Sequence, residues 1–206
     1  KWVPNSMHID PSDPSLKEFY ETLIQNDMVL IVHTGQEAAL DGSNQELGNP
    51  LKLRFPLDLG VKVIMTHAAS LGKCQDFESE NTEYVPCFNL FIRLMEEEKY
   101  QKKLYGDISA TYFINRNLDH VIELLNRKDL HSRLLNGSDY PLIAVNILIN
   151  LNKLLKAGLI TETEKKALRE IYLYNPFLFD FVLKRTLKHP KTKQRFLPIV
   201  FEDRKL

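Results

Sequence analysis

Cysteine is scarce in this chain of 206 residues: there are two, Cys74 and Cys87. Two thiols 13 residues apart suggest neither a disulfide framework nor a zinc clip. They are expected to be reduced structural thiols of a cytoplasmic protein. No charge of one sign dominates, because Lys plus Arg and Asp plus Glu both number 27. That balance argues against an electrostatic nucleic-acid binder, which needs a basic excess or stripe. No apolar run approaches the roughly 20 residues of a membrane span, and no membrane partner is expected. No signal peptide, internal repeat or low-complexity tract is visible. The chain opens on Lys1-Trp2-Val3-Pro4 without an initiator methionine, so it is expected to be part of something longer.

Hydrophobic residues make up 44% and charged residues 26%, as in an ordinary globular protein. Short β-rich runs alternate with helical patterns. The strands are expected at Met28–Val32, Val61–Thr66, Leu104–Ser109 and Leu134–Ser138. Helices are expected over Leu16–Gln25, Leu51–Leu59 (broken near Pro56), Pro86–Tyr100, Asn117–Asn126, Pro141–Lys156 and Pro176–Leu187. Ala68–Gly72 reads as a helix start, and Lys73–Tyr84 as a polar loop. Thr161 and Glu164 form a capping box that opens a further helix.

Strands separated by helices imply parallel βαβ units. Strands this apolar are expected to be buried on both faces, and four of them alone leave open edges. The predicted architecture is therefore α/β: the C-terminal half of a (β/α)8 TIM barrel, with extra C-terminal helices. Residues 1–206 form one domain, with βα units over about 1–157 and helices and tail over 158–206. The open edges call for a partner, either the missing N-terminal half-barrel or a second copy.

Two apolar strands run into histidines, His33 and His67, which lie 34 residues apart, one βα unit. Residues closing parallel strands face the active site of an α/β barrel. His33 offers an imidazole nitrogen to a metal, or is simply hydrogen-bonded at a strand end. His67 is a metal ligand or a general acid/base. Asp139, in Asn136-Gly137-Ser138-Asp139-Tyr140-Pro141, is a helix N-cap, a metal-binding carboxylate, or both. Asp107 reads as a mid-strand structural residue. Arg54 and Arg133 are candidate clamps for an anionic substrate, or solvated side chains. His8, His120, His131 and His189 read as surface residues, and the stripe Phe177, Leu178, Phe181 and Val182 as packing.

Three stretches together resemble the metal-dependent amidohydrolase superfamily. They are Val29-Leu30-Ile31-Val32-His33-Thr34-Gly35, Val61–Ser70 around Thr66-His67-Ala68-Ala69, and Leu135–Pro141 around Gly137-Ser138-Asp139. The resemblance is to the branch that includes aminocarboxymuconate-semialdehyde decarboxylase. Tyr105-Gly106-Asp107-Ile108-Ser109-Ala110 looks like the seventh strand, and Lys1-Trp2-Val3-Pro4 like the end of the fourth.

The resemblance implies His33 as the strand-five metal ligand and His67 as the strand-six histidine acting on substrate or water. Asp139 would be the strand-eight ligand and proton acceptor. The implied cofactor is a divalent metal ion, most readily zinc, which activates water to attack a C–N or C–O bond of a small-molecule substrate. Non-oxidative decarboxylation and a non-catalytic binding module are the rival readings. The family's first-strand His-x-His pair is absent, and His33 with Asp139 alone is too small a set for tight zinc binding.

Overall fold

A computed structural model describes all 206 residues, Lys1 to Leu206. The chain is mixed α/β and divides into two compact units. The first comprises Lys1–Asp107 with Arg204–Leu206, and the second Ile108–Asp203. No helix is long and apolar enough to cross a membrane.

The first unit opens with helices α1 (Pro4–Met7) and α2 (Lys17–Gln25), then strand β1 (Val29–His33). Helix α3 (Arg54–Leu59) leads into β2 (Lys62–Thr66). An antiparallel pair follows, β3 (Lys73–Gln75) and β4 (Tyr84–Pro86), then α4 (Cys87–Glu96) and β5 (Leu104–Asp107). Strands β1, β2 and β5 are parallel neighbours in that order, as the alternation of elements predicts. Trp2 adds a parallel bridge to Val32 on the free edge of β1.

Register and burial go together here. Leu30, Val63 and Leu104 are aligned across the three strands and are 3%, 0% and 0% exposed. Ile31, Ile64 and Tyr105 form the adjacent row, which points to the other face because side chains alternate. That second row is only half-buried, so the sheet is fully covered on one face and not on both, contrary to expectation. Leu23 of α2 and Leu57 of α3 are buried with it in the core of this unit.

Several local readings change. The predicted break near Pro56 falls earlier: a 3-10 turn over Pro50–Leu53 passes into α3 at Arg54. Pro56 is tolerated because it sits in the first turn, where its missing N–H has no helical partner to lose. The stretch read as a polar loop contains the β3–β4 hairpin. That hairpin brings Cys74 to Cys87 at the head of α4, and the two form a disulfide with Cα atoms 4.9 Å apart. The expectation of reduced thiols is therefore wrong; sequence spacing could not show that the hairpin returns the chain. Arg93 of α4 grips Asp76 bidentately and pins the same hairpin.

The second unit contains α5 (Leu118–Asn126), the short strand β6 (Leu134–Leu135), α6 (Leu151–Lys156), α7 (Glu162–Tyr174) and α8 (Pro176–Thr186). The Leu135 carbonyl of β6 accepts from the Ile108 amide. Strand β6 ends three residues earlier than expected, and Asn136–Asp139 is an irregular turn. The long helix expected over Pro141–Lys156 is instead two 3-10 turns, Leu142–Ala144 and Asn146–Leu148, followed by α6. The β-branched residues Val145, Ile147 and Ile149 disfavour helix. The Ile114 amide captures the Leu148 carbonyl, and Asn150 restarts the helix by capping the Lys153 amide.

Two histidines read as surface residues are buried, His120 at 8% and His131 at 0% exposure. The Leu197 amide donates to His131 Nδ1, so Nε2 carries the proton and donates to the Leu124 carbonyl at 2.8 Å. Burial lowers the His131 pKa, which keeps this ring neutral. The stripe read as packing is also different: Phe177, Leu178 and Phe181 are 50%, 49% and 37% exposed.

The Thr161–Glu164 capping box forms as expected. Glu164 also meets Lys188 at 3.0 Å and Arg195 at 3.1 Å. Burial opposes its charge, but hydrogen bonds from the Thr161 amide and hydroxyl and from Lys188 outweigh it and lower the pKa from 4.5 to about 2. A depressed carboxylate pKa adds stability above the unfolded value, and that stability is lost as pH falls. Thermal stability should therefore decline between pH 4.5 and about 2, and Glu164→Gln should flatten that part of the profile in scanning calorimetry.

A disulfide closing a loop of this length stabilises by about 3 kcal/mol, through the unfolded state. Reduction should lower the unfolding midpoint by a corresponding amount. Thiol titration in denaturant without reductant should find none; two titratable thiols would disprove the bond.

Candidate functional site

The site builds up from the register of β1 on β2. His33, the last residue of β1, pairs with Thr66, and His67 follows one position on. The two imidazoles therefore emerge side by side, their ring centroids 5.2 Å apart at an interplanar angle of 63°. Both residues are buried, at 5% and 3% exposure. The strand ends are laced together where they finish: the Thr34 hydroxyl donates to the Thr66 carbonyl at 3.0 Å.

Each histidine has an acidic companion. His33 Nδ1 lies 3.5 Å from a Glu37 carboxylate oxygen, and its Nε2 lies 3.3 Å from the Gln36 carbonyl. The His67 amide donates to Asp107 Oδ1 at 3.0 Å. Asp107 is the last residue of β5, not a mid-strand position, because that strand ends two residues before the expected boundary. Glu37 and Asp107 are the site residues that sequence reasoning undervalued. A signal existed for Asp107, since it ends an apolar strand as His33 does. Glu37 lay in an irregular loop and carried none.

The backbone at this end of the sheet is strained. His67, Ala68 and Ala69 all have positive φ, at 59°, 49° and 48°. Left-handed backbone costs each L-residue roughly 1–2 kcal/mol. Such conformations persist where the surroundings over-determine them, and they concentrate at functional sites. The segment read as a helix start is thus a single 3-10 turn with left-handed residues inside it. Beside it, the buried Thr66 hydroxyl has no hydrogen-bond partner.

Asp139 lies in the second unit, also with positive φ (57°), in the turn after β6. Its backbone carbonyl accepts from the Leu142 amide, but the N-cap of the 3-10 turn Leu142–Ala144 is Pro141, so the expected N-cap role of Asp139 is not realised. Arg54 does not stand free to clamp an anion. Its guanidinium is bound by Glu97 at 2.6 and 2.8 Å, by Glu78 at 2.9 Å, and by the Tyr100 hydroxyl at 3.3 Å. The Glu97 carboxylate, ahead of the opposing effect of burial, holds the Arg54 pKa above its ordinary value. A cleft of about 940 Å³ lies within the second unit, lined by Ile147, Leu151, Tyr172, Leu173 and Phe179 with Arg169 at its edge. None of His33, His67, Arg54 or Asp139 lines it.

No group of three His, Cys, Asp or Glu side chains that could hold a metal ion comes together here. What the His33–His67 pair offers is proton chemistry: two adjacent imidazoles, one flanked by a carboxylate, at a desolvated sheet end. Comparison with protein-family models, curated proteins and solved structures found no match for this chain.

Gly35 shapes the exit from β1. It adopts φ +85°, and a Cβ there would lie 2.7 Å from the Leu71 carbonyl oxygen and 3.3 Å from that of Ala69. Gly35→Ala should destabilise the first unit by about 2 kcal/mol or more in chemical denaturation, since it combines left-handed strain with a backbone clash.

Proposed function

We propose that this chain forms the C-terminal half of a (β/α)8 barrel hydrolase of amidohydrolase type, acting on a C–N or C–O bond of a small molecule. The observation that carries the reading is the His33–His67 pair, at the ends of neighbouring parallel strands and over a strained turn. The half-buried row Ile31–Ile64–Tyr105 supports the barrel, because the inner face of an incomplete barrel is covered on one side only. The partner is then the other half-barrel or a second copy that covers this face.

In this reading His67 exchanges a proton with the substrate or the attacking water, and Asp139 accepts one. The resemblance also implies a divalent metal held by His33 and Asp139. No step is assigned to it. A decarboxylase would want a free arginine for the substrate carboxylate, and Arg54 is committed to Glu78 and Glu97. The disulfide favours an oxidising compartment over the cytoplasm.

The test is hydrolysis of a panel of amides and esters by the full chain, with metal content measured on the same preparation. His67→Ala and Asp139→Asn should each lower turnover by about 100-fold or more. Unchanged turnover in Asp139→Asn would sink the assignment. Ligand binding without turnover in the unmodified chain would establish the binding-module reading instead.

A further inference from the structure

The second unit buries a complete lysine. Lys184 of α8 is 0% exposed, and lysines are almost never fully buried unless paired. Its ammonium has three donors, and the structure accounts for all of them. It donates to Asp180 Oδ2 at 2.7 Å, to the Gly137 carbonyl at 2.5 Å and to Asn136 Oδ1 at 3.1 Å. Asp180, itself 1% exposed, receives the Tyr112 hydroxyl on its other oxygen at 2.7 Å. Burying these groups carries a large desolvation cost. Replacing such buried ionic groups with apolar residues of similar volume is often neutral or stabilising.

What the trio does that apolar residues cannot is grip the turn after β6. Asn136–Asp139 belongs to no helix or strand, Asn136 is exposed, and Asp139 sits in left-handed backbone. The ammonium is aimed at the two residues that set the direction of the chain just before Asp139. Burial first, then the Asp180 and Asp139 carboxylates, raise the Tyr112 pKa, so the Tyr112 hydroxyl stays a donor to Asp180 and the Asp139 charge lies within electrostatic reach of it.

We infer that Lys184, braced by Asp180 and Tyr112, is a positioning residue that holds the Asn136–Gly137 turn so that Asp139 is presented in one orientation. The inference rests on the proposed role of Asp139. The clamp itself is a property of the turn and can be measured without turnover.

The experiment uses the full chain carrying Tyr112→Phe, Asp180→Leu and Lys184→Met together, which removes the polar trio without stranding a buried charge. Backbone amide order parameters of residues 137–140 should be near 0.85 in the unmodified chain and fall to about 0.6 or below in the variant, while α7 and α8 stay rigid. Turnover on the panel substrate should show kcat down by about 100-fold with KM little changed, as expected when a reacting group is misplaced but binding is kept.

A turn as rigid in the variant as in the unmodified chain, or an unchanged kcat, overturns the inference. Loss of order spread over the whole second unit also overturns it, because that is the signature of a purely structural role. If the triple variant does not fold, Tyr112→Phe alone decides, since it removes only the brace on Asp180. Turn amides falling towards about 0.6 there uphold the clamp, and amides as rigid as in the unmodified chain overturn it. A loosened turn in a chain that never shows turnover upholds the clamp while removing the hydrolase reading, so the two failures are distinguishable.

Discussion

The parallel register of β1 on β2 is the constraint on which the candidate site depends. Leu30 opposite Val63, and Val63 opposite Leu104, put fully buried side chains of three strands in one row. A slip of one residue would turn that row to the other face and expose it. The same register sets His33 against Thr66 and brings His67 out one step later, so hydrophobic burial and imidazole placement are one decision. The Thr34 hydroxyl bond to the Thr66 carbonyl repeats that register at the strand ends, where ladder bonding stops.

Beyond the strands, the backbone is held in costly conformations by contacts that leave it little choice. Gly35 passes close to the Leu71 and Ala69 carbonyls. The Gln36 amide donates to the Leu71 carbonyl, and the Cys87 amide to the Gly72 carbonyl. The disulfide and the Asp76–Arg93 pair anchor the hairpin that follows. The turn His67–Ala69 is therefore tied at both ends, by Asp107 before it and the hairpin after it. Strain of this kind survives only where neighbouring structure over-determines the backbone.

Charge is handled by local pairing throughout. Arg54 serves two carboxylates and a phenol, Glu164 a capping box and two cations, and Lys184 a carboxylate and a turn. An overall balance of 27 basic and 27 acidic residues is consistent with such pairing. It leaves the second unit with a different kind of exposed feature. Ile147, Leu173 and Tyr174 are 79%, 81% and 89% exposed.

Much of this was legible in one dimension. Strand-ending histidines, the βα alternation, the capping box at Thr161 and the glycine after His33 all follow from residue type and short-range spacing, because local propensity and hydrophobic period act within a few residues. What tertiary structure alone decided is which distant residues meet. The Cys74–Cys87 bond needed a hairpin to return the chain, and the break-up of the Pro141–Lys156 helix needed Ile114 to take a carbonyl from it. The occupation of Arg54 needed two glutamates from distant segments, and the burial of His131 and Lys184 needed packing partners far along the chain. Hydrogen-bond and ion-pair partners are chosen by proximity in space, and a desolvated polar group accepts whichever partner the fold brings to it.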